Sequence, residues 1–381
     1  MYKELNEQNR EWLDGVWAKI DAKLSQAAIK HRGIIPYTSE KGIYKERPNN
    51  INWWTNGFWG SMMLLMYKET ENEEYLKTAE YSEVLLDEAL DYYDRLDHDV
   101  GFMWHILSGA KYRLIGDKRS LNRALRAASS LSARYNVDGG FIPAWNGKNV
   151  SGWTIIDCLM NLPLLYWASE TLGMDSFRRV AIKHADMALR DHIRPDGSVN
   201  HIVEHDTDTG EVIRITESQG YSPDSCWTRG LAWAVYGMAL SYRYTKEQRY
   251  LDAALKTADY FAEHVAKSGY KTPIDFSAPD TPQYYDSTAG VCAACGLLEI
   301  SEYVDESKAQ KYVAEAIKIL KATDQYFCNY DVDYDSIVQM GSERYPNRPE
   351  WMAGVHIPII YGDFFYVESV LKLRNQDFSV W

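Results

Sequence analysis

Apolar residues recur along this chain at helical spacing, and the recurrence is marked by five similar openings. At 74–79, 120–125, 176–181, 249–254 and 311–316 a polar start is followed by an aromatic residue, Leu or Val and then by Ala on one face. Such spacing predicts an amphipathic helix at each mark. Second helices are predicted between the marks, at 154–169, 228–242 and 288–303, and an N-terminal helix at 11–28 has a partner at 57–68. Turn signals such as Asp138-Gly139-Gly140 and Arg194-Pro195-Asp196-Gly197 separate them. The units add up to about six helical hairpins in one domain spanning 1–381. The terminal hairpins are no more polar than the middle ones, so the units are expected to close into a ring rather than stack as a capped solenoid. An extended piece is expected at 199–203.

Composition narrows the class. The chain has 381 residues, of which 46% are hydrophobic and 25% charged, with a net charge of −13. That sign argues against nucleic acid and anionic membrane surfaces as partners, but a local pocket can oppose it and take a small anion. No apolar stretch has the length of a membrane span. The N-terminal decapeptide carries charges where a secretory signal needs an apolar run, so a cytoplasmic location is expected. The cysteines at 158, 226, 292, 295 and 328 are scattered and odd in number, unlike a disulfide framework. Cys292 and Cys295 have metal-pair spacing, but small neighbours favour core packing.

Thirteen Trp and 28 Tyr make a carbohydrate cleft one use for the aromatic content. Asp157 stands alone in the apolar run Trp153-Thr154-Ile155-Ile156-Asp157-Cys158-Leu159-Met160-Asn161. A carboxylate there needs a raised pKa or a dense hydrogen-bonding shell, and either suits a general acid/base. Read as a helix, Trp153, Asp157 and Asn161 form one stripe, with Asn161 orienting the carboxyl. The triplet Asp97-His98-Asp99 before Val100-Gly101-Phe102 reads as the rim of a site or as a solvated loop. Arg229 follows Trp227 in the first turn of a helix, where a cation calls for an answering carboxylate. His201 and His205 are read as sharing one face of a strand in a pattern unlike His-Glu-x-x-His, so no metal is assigned, and no nucleotide-binding loop is present.

These motifs occur in an order that resembles the unsaturated glucuronyl hydrolases, glycoside hydrolase family 88. The matching runs are 52–59, His98-Asp99-Val100-Gly101-Phe102, Gly139-Gly140-Phe141-Ile142, Ile155 through Asn161, Gln219-Gly220-Tyr221-Ser222, Trp227-Thr228-Arg229-Gly230-Leu231-Ala232-Trp233, Asp286-Ser287-Thr288-Ala289 and Tyr361-Gly362-Asp363. The resemblance implies an all-α (α/α)6 barrel and removal of a Δ4,5-unsaturated uronic acid from lyase-generated oligosaccharides. It implies no cofactor and a small anionic unsaturated oligosaccharide as the partner. It makes Asp157 the acid/base that protonates C4 of the vinyl ether and Asp99 the carboxylate that holds the uronate ring. Trp54, His98, Trp145, His201, Gln219, Trp227, Arg229 and Trp233 become its substrate-binding residues.

The chain departs from the family pattern in two places. It has Asp97-His98 where two His are common. It also has Gly341-Ser342-Glu343-Arg344 running on to Arg348 in place of a Ser-x-x-Ser-x-Lys patch. Ser342, Arg344 and Arg348 are therefore the candidates for a sulfate or distal contact. An unsaturated rhamnogalacturonyl hydrolase is the nearest alternative. An N-acylglucosamine-type epimerase or a non-catalytic sugar-binding protein stands further off. The preferred disaccharide and the choice between monomer and dimer stay open.

Overall fold

The computed structural model describes residues 7–47, 50–216 and 219–381; residues 1–6 of the N-terminal segment lie outside that range. Among the described residues, twelve α-helices alternate between two concentric rings. The outer ring holds α1 (Glu7–Lys30), α3 (Glu73–Leu86), α5 (Lys118–Ala133), α7 (Asp175–Asp191), α9 (Gln248–Lys267) and α11 (Glu306–Phe327). The inner ring holds α2 (Phe58–Thr70), α4 (Ala110–Ile115), α6 (Leu162–Leu172), α8 (Thr228–Thr245), α10 (Ser287–Ser301) and α12 (Ile360–Leu373). A π-helical run, Gly101–Gly109, leads into α4. The five repeated openings all lie in outer helices, whose one apolar face meets the inner ring. The inner ring carries the deepest burial: all fifteen residues of α10 are inaccessible or nearly so, Cys292 and Cys295 among them. Gly296 lets α10 approach α8, since a Cβ there would come within 3.0 Å of the Tyr236 backbone nitrogen. The ring closes where α12 packs against both α10 and α2.

The structure departs from the helix expected at 154–169. Trp153–Ile155 is a strand, β3, Ile156–Met160 is a 3-10 turn, and α6 begins only at Leu162. Pro163 explains the late start, because a proline is tolerated in the first helical turn and disrupts a helix interior. Asp157 and Asn161 therefore share no helical stripe. The extended piece expected at 199–203 starts later, as β4 (Ile202–His205), which pairs antiparallel with β3 and with β5 (Val212–Ile215). A second hairpin, β1 (Pro36–Glu40) with β2 (Ile43–Glu46), precedes α2. The π-helical run had no periodicity to read, because all nine of its residues are buried.

Candidate active site

Each inner helix follows an outer one that runs the opposite way, so the N-terminal ends of the inner helices gather on one side. Trp54 lies in the 3-10 turn before α2, His98 and Asp99 before the π-helical run, and Asp157 before α6. Trp227 is the N-cap of α8, Arg229 is in its first turn, Asp286 caps α10, and Tyr361 is in the first turn of α12. Except for Asp286, these residues line one cavity of about 430 Å³ together with Trp145, Gln219 and Arg344. That volume suits a small ligand, and the positive ends of the surrounding helices suit an anionic one.

Asp157 faces this cavity with one oxygen. Its Oδ2 is buried, has no hydrogen bond, and lies 3.4 Å from Nε2 of His201. The side chain as a whole is 15% exposed, which leaves Oδ1 on the open side. The imidazole of His201 is oriented by its other nitrogen, because Nδ1 accepts the backbone N–H of Gln219 at 3.1 Å. In the neutral ring the proton must then sit on Nε2, toward Asp157. His201 itself is buried against Trp227, with ring centroids 4.3 Å apart, so it acts on Asp157 rather than lining the cavity. His205 does not join it. His205 pairs with Asp191 at 2.9 Å and with Thr154, which corrects the reading of two His on one strand face.

Asp99 and His98 form a second buried unit, which corrects the solvated-loop reading. His98 Nδ1 meets the carbonyl of Ala144 at 2.7 Å, so that nitrogen donates, and Nε2 lies 3.2 Å from Asp99 Oδ1. That contact is an ion-pair approach without a hydrogen bond, and it attracts the carboxylate to the ring when the imidazole is protonated. Burial, with Asp97 and Asp157 adding to it, pushes Asp99 up to about 7 against the opposing pull of His98. Burial acts to lower His98, yet the carboxylates of Asp99 and Asp97 outweigh it and raise the imidazole. Asn161 serves Asp99 rather than the Asp157 carboxyl. Its Nδ2 donates to Asp99 Oδ1 at 3.3 Å and to the Asp157 carbonyl at 3.4 Å, while its Oδ1 accepts from Phe102 N–H at 2.8 Å.

Arg229 is answered by the protein. It donates to Asp286 Oδ2 at 2.6 Å and to the carbonyls of Ser342 and Glu343, and its guanidinium lies 4.4 Å over Trp227. Besides His201, three expected site residues lie away from the cavity. Trp233 is fully buried behind Trp54, with ring centroids 6.4 Å apart. Ser342 is also buried, its hydroxyl donating to the Tyr285 carbonyl. Arg348 is exposed and stacks on Trp351, so of the loop candidates Arg344 alone reaches the wall. Tyr37, Arg47, Trp53, Arg95 and Glu343 also line the cavity. Of these, Trp53 lay beside Trp54 in a visible aromatic cluster; Tyr37 and Arg47 come from the β1–β2 hairpin and carry no local signal.

Among the described residues, Asp97, His98 and Asp99 are the group whose ligand atoms lie within 4.8 Å of one another. Those atoms are engaged. Asp97 Oδ1 accepts from Asp99 N–H at 2.9 Å, and both ring nitrogens of His98 have the partners given above.

The model of Glycosyl Hydrolase Family 88 matches residues 30–258. An unsaturated glucuronyl hydrolase of Bacillus sp. (strain GL1) is 35% identical over 357 residues, 91% of this chain and 92% of its own length. An unsaturated chondroitin disaccharide hydrolase of Streptococcus pneumoniae is 30% identical, covering 86% of this chain and 83% of its own. The crystal structure of the Bacillus sp. GL1 unsaturated glucuronyl hydrolase superposes with a TM-score of 0.86 at 33% identity, over 94% of this chain and 96% of that one.

Proposed function

The chain belongs to glycosyl hydrolase family 88, and on that premise we propose that it removes the Δ4,5-unsaturated glucuronic acid from the non-reducing end of glycosaminoglycan-derived disaccharides. The observation that carries the mechanism is Asp157, with one oxygen open to the cavity and the other beside the oriented Nε2–H of His201. Protonated Asp157 gives its proton to C4, and the C4=C5 electron pair forms the new C–H bond. Positive charge develops on C5 and the ring oxygen. The carboxylate left behind is stabilised by His201 Nε2–H, and it then takes a proton from the water that adds to C5. The C5 hemiketal opens, the aglycone leaves, and Asp157 is protonated again. A lone proton carrier suffices because the substrate brings its own electron-rich carbon, unlike the paired carboxylates of ordinary glycosidases.

Asp99 and His98, 3.2 Å apart, hold the ring hydroxyls, with Trp54, Trp145 and Trp227 as walls. Gln219 serves through its backbone on His201 and spends its side-chain N–H on the Glu343 carbonyl at 2.7 Å. Arg229 anchors the loop that carries Glu343 and Arg344. The whole of 1–381 is taken as one catalytic unit, which one continuous hydrophobic core through both rings supports. No helix among the described residues is long and apolar enough to cross a membrane. A cytoplasmic location belongs to the same reading, supported by five cysteines free of disulfides. The test is the ultraviolet absorbance of the conjugated double bond, followed with unsaturated disaccharides from chondroitin, hyaluronan and heparin. It should fall in step with release of the second sugar; release with the absorbance retained would rule out hydration.

A further inference from the structure

A second cavity of about 450 Å³ adjoins the active-site cavity, and the two share Arg47, Asn50 and Arg95 as lining. Its own wall combines Asn56, Tyr92, Leu85 and Ile51, an aromatic and apolar face with amide groups beside it. That mixture suits a sugar ring, which presents an apolar face and a polar edge. The two arginines at the junction are held alike. The Arg47 guanidinium lies 3.7 Å over the Trp53 ring, and that of Arg95 lies 4.8 Å over Tyr92. Stacking occupies the faces of a guanidinium and leaves its edge donors to meet an oxyanion. The nearest carboxylate to Arg47 is Glu343, with Oε1 at the loose distance of 3.8 Å. Among the described residues no carboxylate lies within ion-pair distance of Arg95. Glu46 and Glu88 stand on the wall of the second cavity, so an anion belongs at the junction and not beyond it.

We propose that the second cavity is a subsite for the leaving portion of an oligosaccharide longer than a disaccharide, with Arg47 and Arg95 clasping an anionic group on that portion. This inference rests on the hydrolase reading above. The anion is a carboxylate or a sulfate, both planar or tetrahedral oxyanions that an arginine edge fits. A disaccharide fills the first cavity alone; a tetrasaccharide carries its next uronate or sulfate to the junction.

Gly33 allows the subsite to be blocked without touching the reaction centre. It lines only the second cavity, and a Cβ built on it meets no atom within 4 Å. The experiment measures kcat/KM by loss of double-bond absorbance for unsaturated disaccharides and tetrasaccharides of hyaluronan and of chondroitin sulfate. The parent should favour tetrasaccharides by about tenfold, the effect of one charge-assisted contact pair. Gly33→Trp should abolish that preference while changing disaccharide kcat/KM by less than about twofold, and Arg95→Gln should lower the preference chiefly through KM. A gain already present with hyaluronan identifies the carboxylate; a gain confined to the sulfated substrate identifies the sulfate. Equal kcat/KM for both lengths in the parent, or an equal fall on both in Gly33→Trp, overturns the subsite. Absence of turnover on every substrate overturns the hydrolase reading, and the subsite with it.

Discussion

At the scale of single residues the site separates two acids by their surroundings. Asp157 keeps one oxygen open and one beside His201, whereas Asp99 lies 3.2 Å from His98 Nε2 and accepts from Asn161. Asp157→Asn should lower kcat by roughly a thousandfold, the scale of general acid catalysis, with an unchanged melting temperature. Retention of a tenth of the parent rate would sink its role. Asp99 makes a different prediction through its pKa of about 7. Unfolded, it loses its proton near about 4. Between those values the folded chain binds more protons, so its stabilising contribution is full in acid and is lost as pH rises through 7. The raised His98 acts with the same sign. Asp99→Asn should therefore gain stability relative to the parent as pH rises from about 4 to about 8. Thermal melts across that range check it, and a constant difference contradicts it. Chelation should leave turnover unaltered, because the Asp97–His98–Asp99 donors are already engaged with one another and with Ala144.

At the scale of elements, the π-helical run and the start of α6 are locked together by a contact that only glycine permits. A Cβ on Gly101 would sit 2.6 Å from Asn161 Oδ1 and 2.7 Å from its Cα. Gly101→Ala must displace Asn161, which bridges Phe102 N–H, Asp99 and the Asp157 carbonyl. Overpacking of this kind costs about 1–3 kcal/mol. Urea unfolding should show that loss, and turnover should fall with it. The late start of α6 belongs to the same scale. Pro163 was a readable signal for it, but the strand before it forms only because β4 lies alongside. A three-residue strand carries too little pattern to predict from its own side chains.

At the scale of the whole molecule, the inner helices give the barrel two unlike ends. Their N-termini face the cavity and add positive potential there, in a protein whose net charge is −13. The C-terminal tail meets the ring at other residues. Arg113, near the end of α4, donates to the Val380 carbonyl at 2.6 Å, and Arg243, near the end of α8, donates to the Trp381 carbonyl at 3.0 Å. Trp381 is buried among Phe102, Tyr236, Phe364 and Phe365, which belong to three different parts of the inner ring, the π-helical run, α8 and α12. Trp381→Ala should destabilise the fold by about 3–5 kcal/mol, measured by equilibrium unfolding. A change below about 1 kcal/mol would mean that the tail does not brace the ring.

The periodicity of the chain by itself determined the outer helices of the hairpins, because an amphipathic helix writes its buried face into local spacing; α4 and α12, with no such mark, and the closure of the ring were decided by tertiary packing. The ordered motifs likewise singled out segments carrying Trp54, Asp99, Asp157, Trp227 and Arg229, which line one cavity. Local pattern could not rank the carboxylates. Asp363 stands in an apolar run much as Asp157 does, yet it is sealed by the N–H groups of Ile337 and Val338 and by the Tyr44 hydroxyl. Asp157 differs only in what the folded chain brings to it: His201 on one oxygen and the open cavity on the other. The same holds for Arg229, whose answering anion is Asp286 on the next inner helix, and for Arg47 at the cavity junction. These pairings cross from one hairpin to another, so ring closure decides them, and no spacing within a hairpin encodes it.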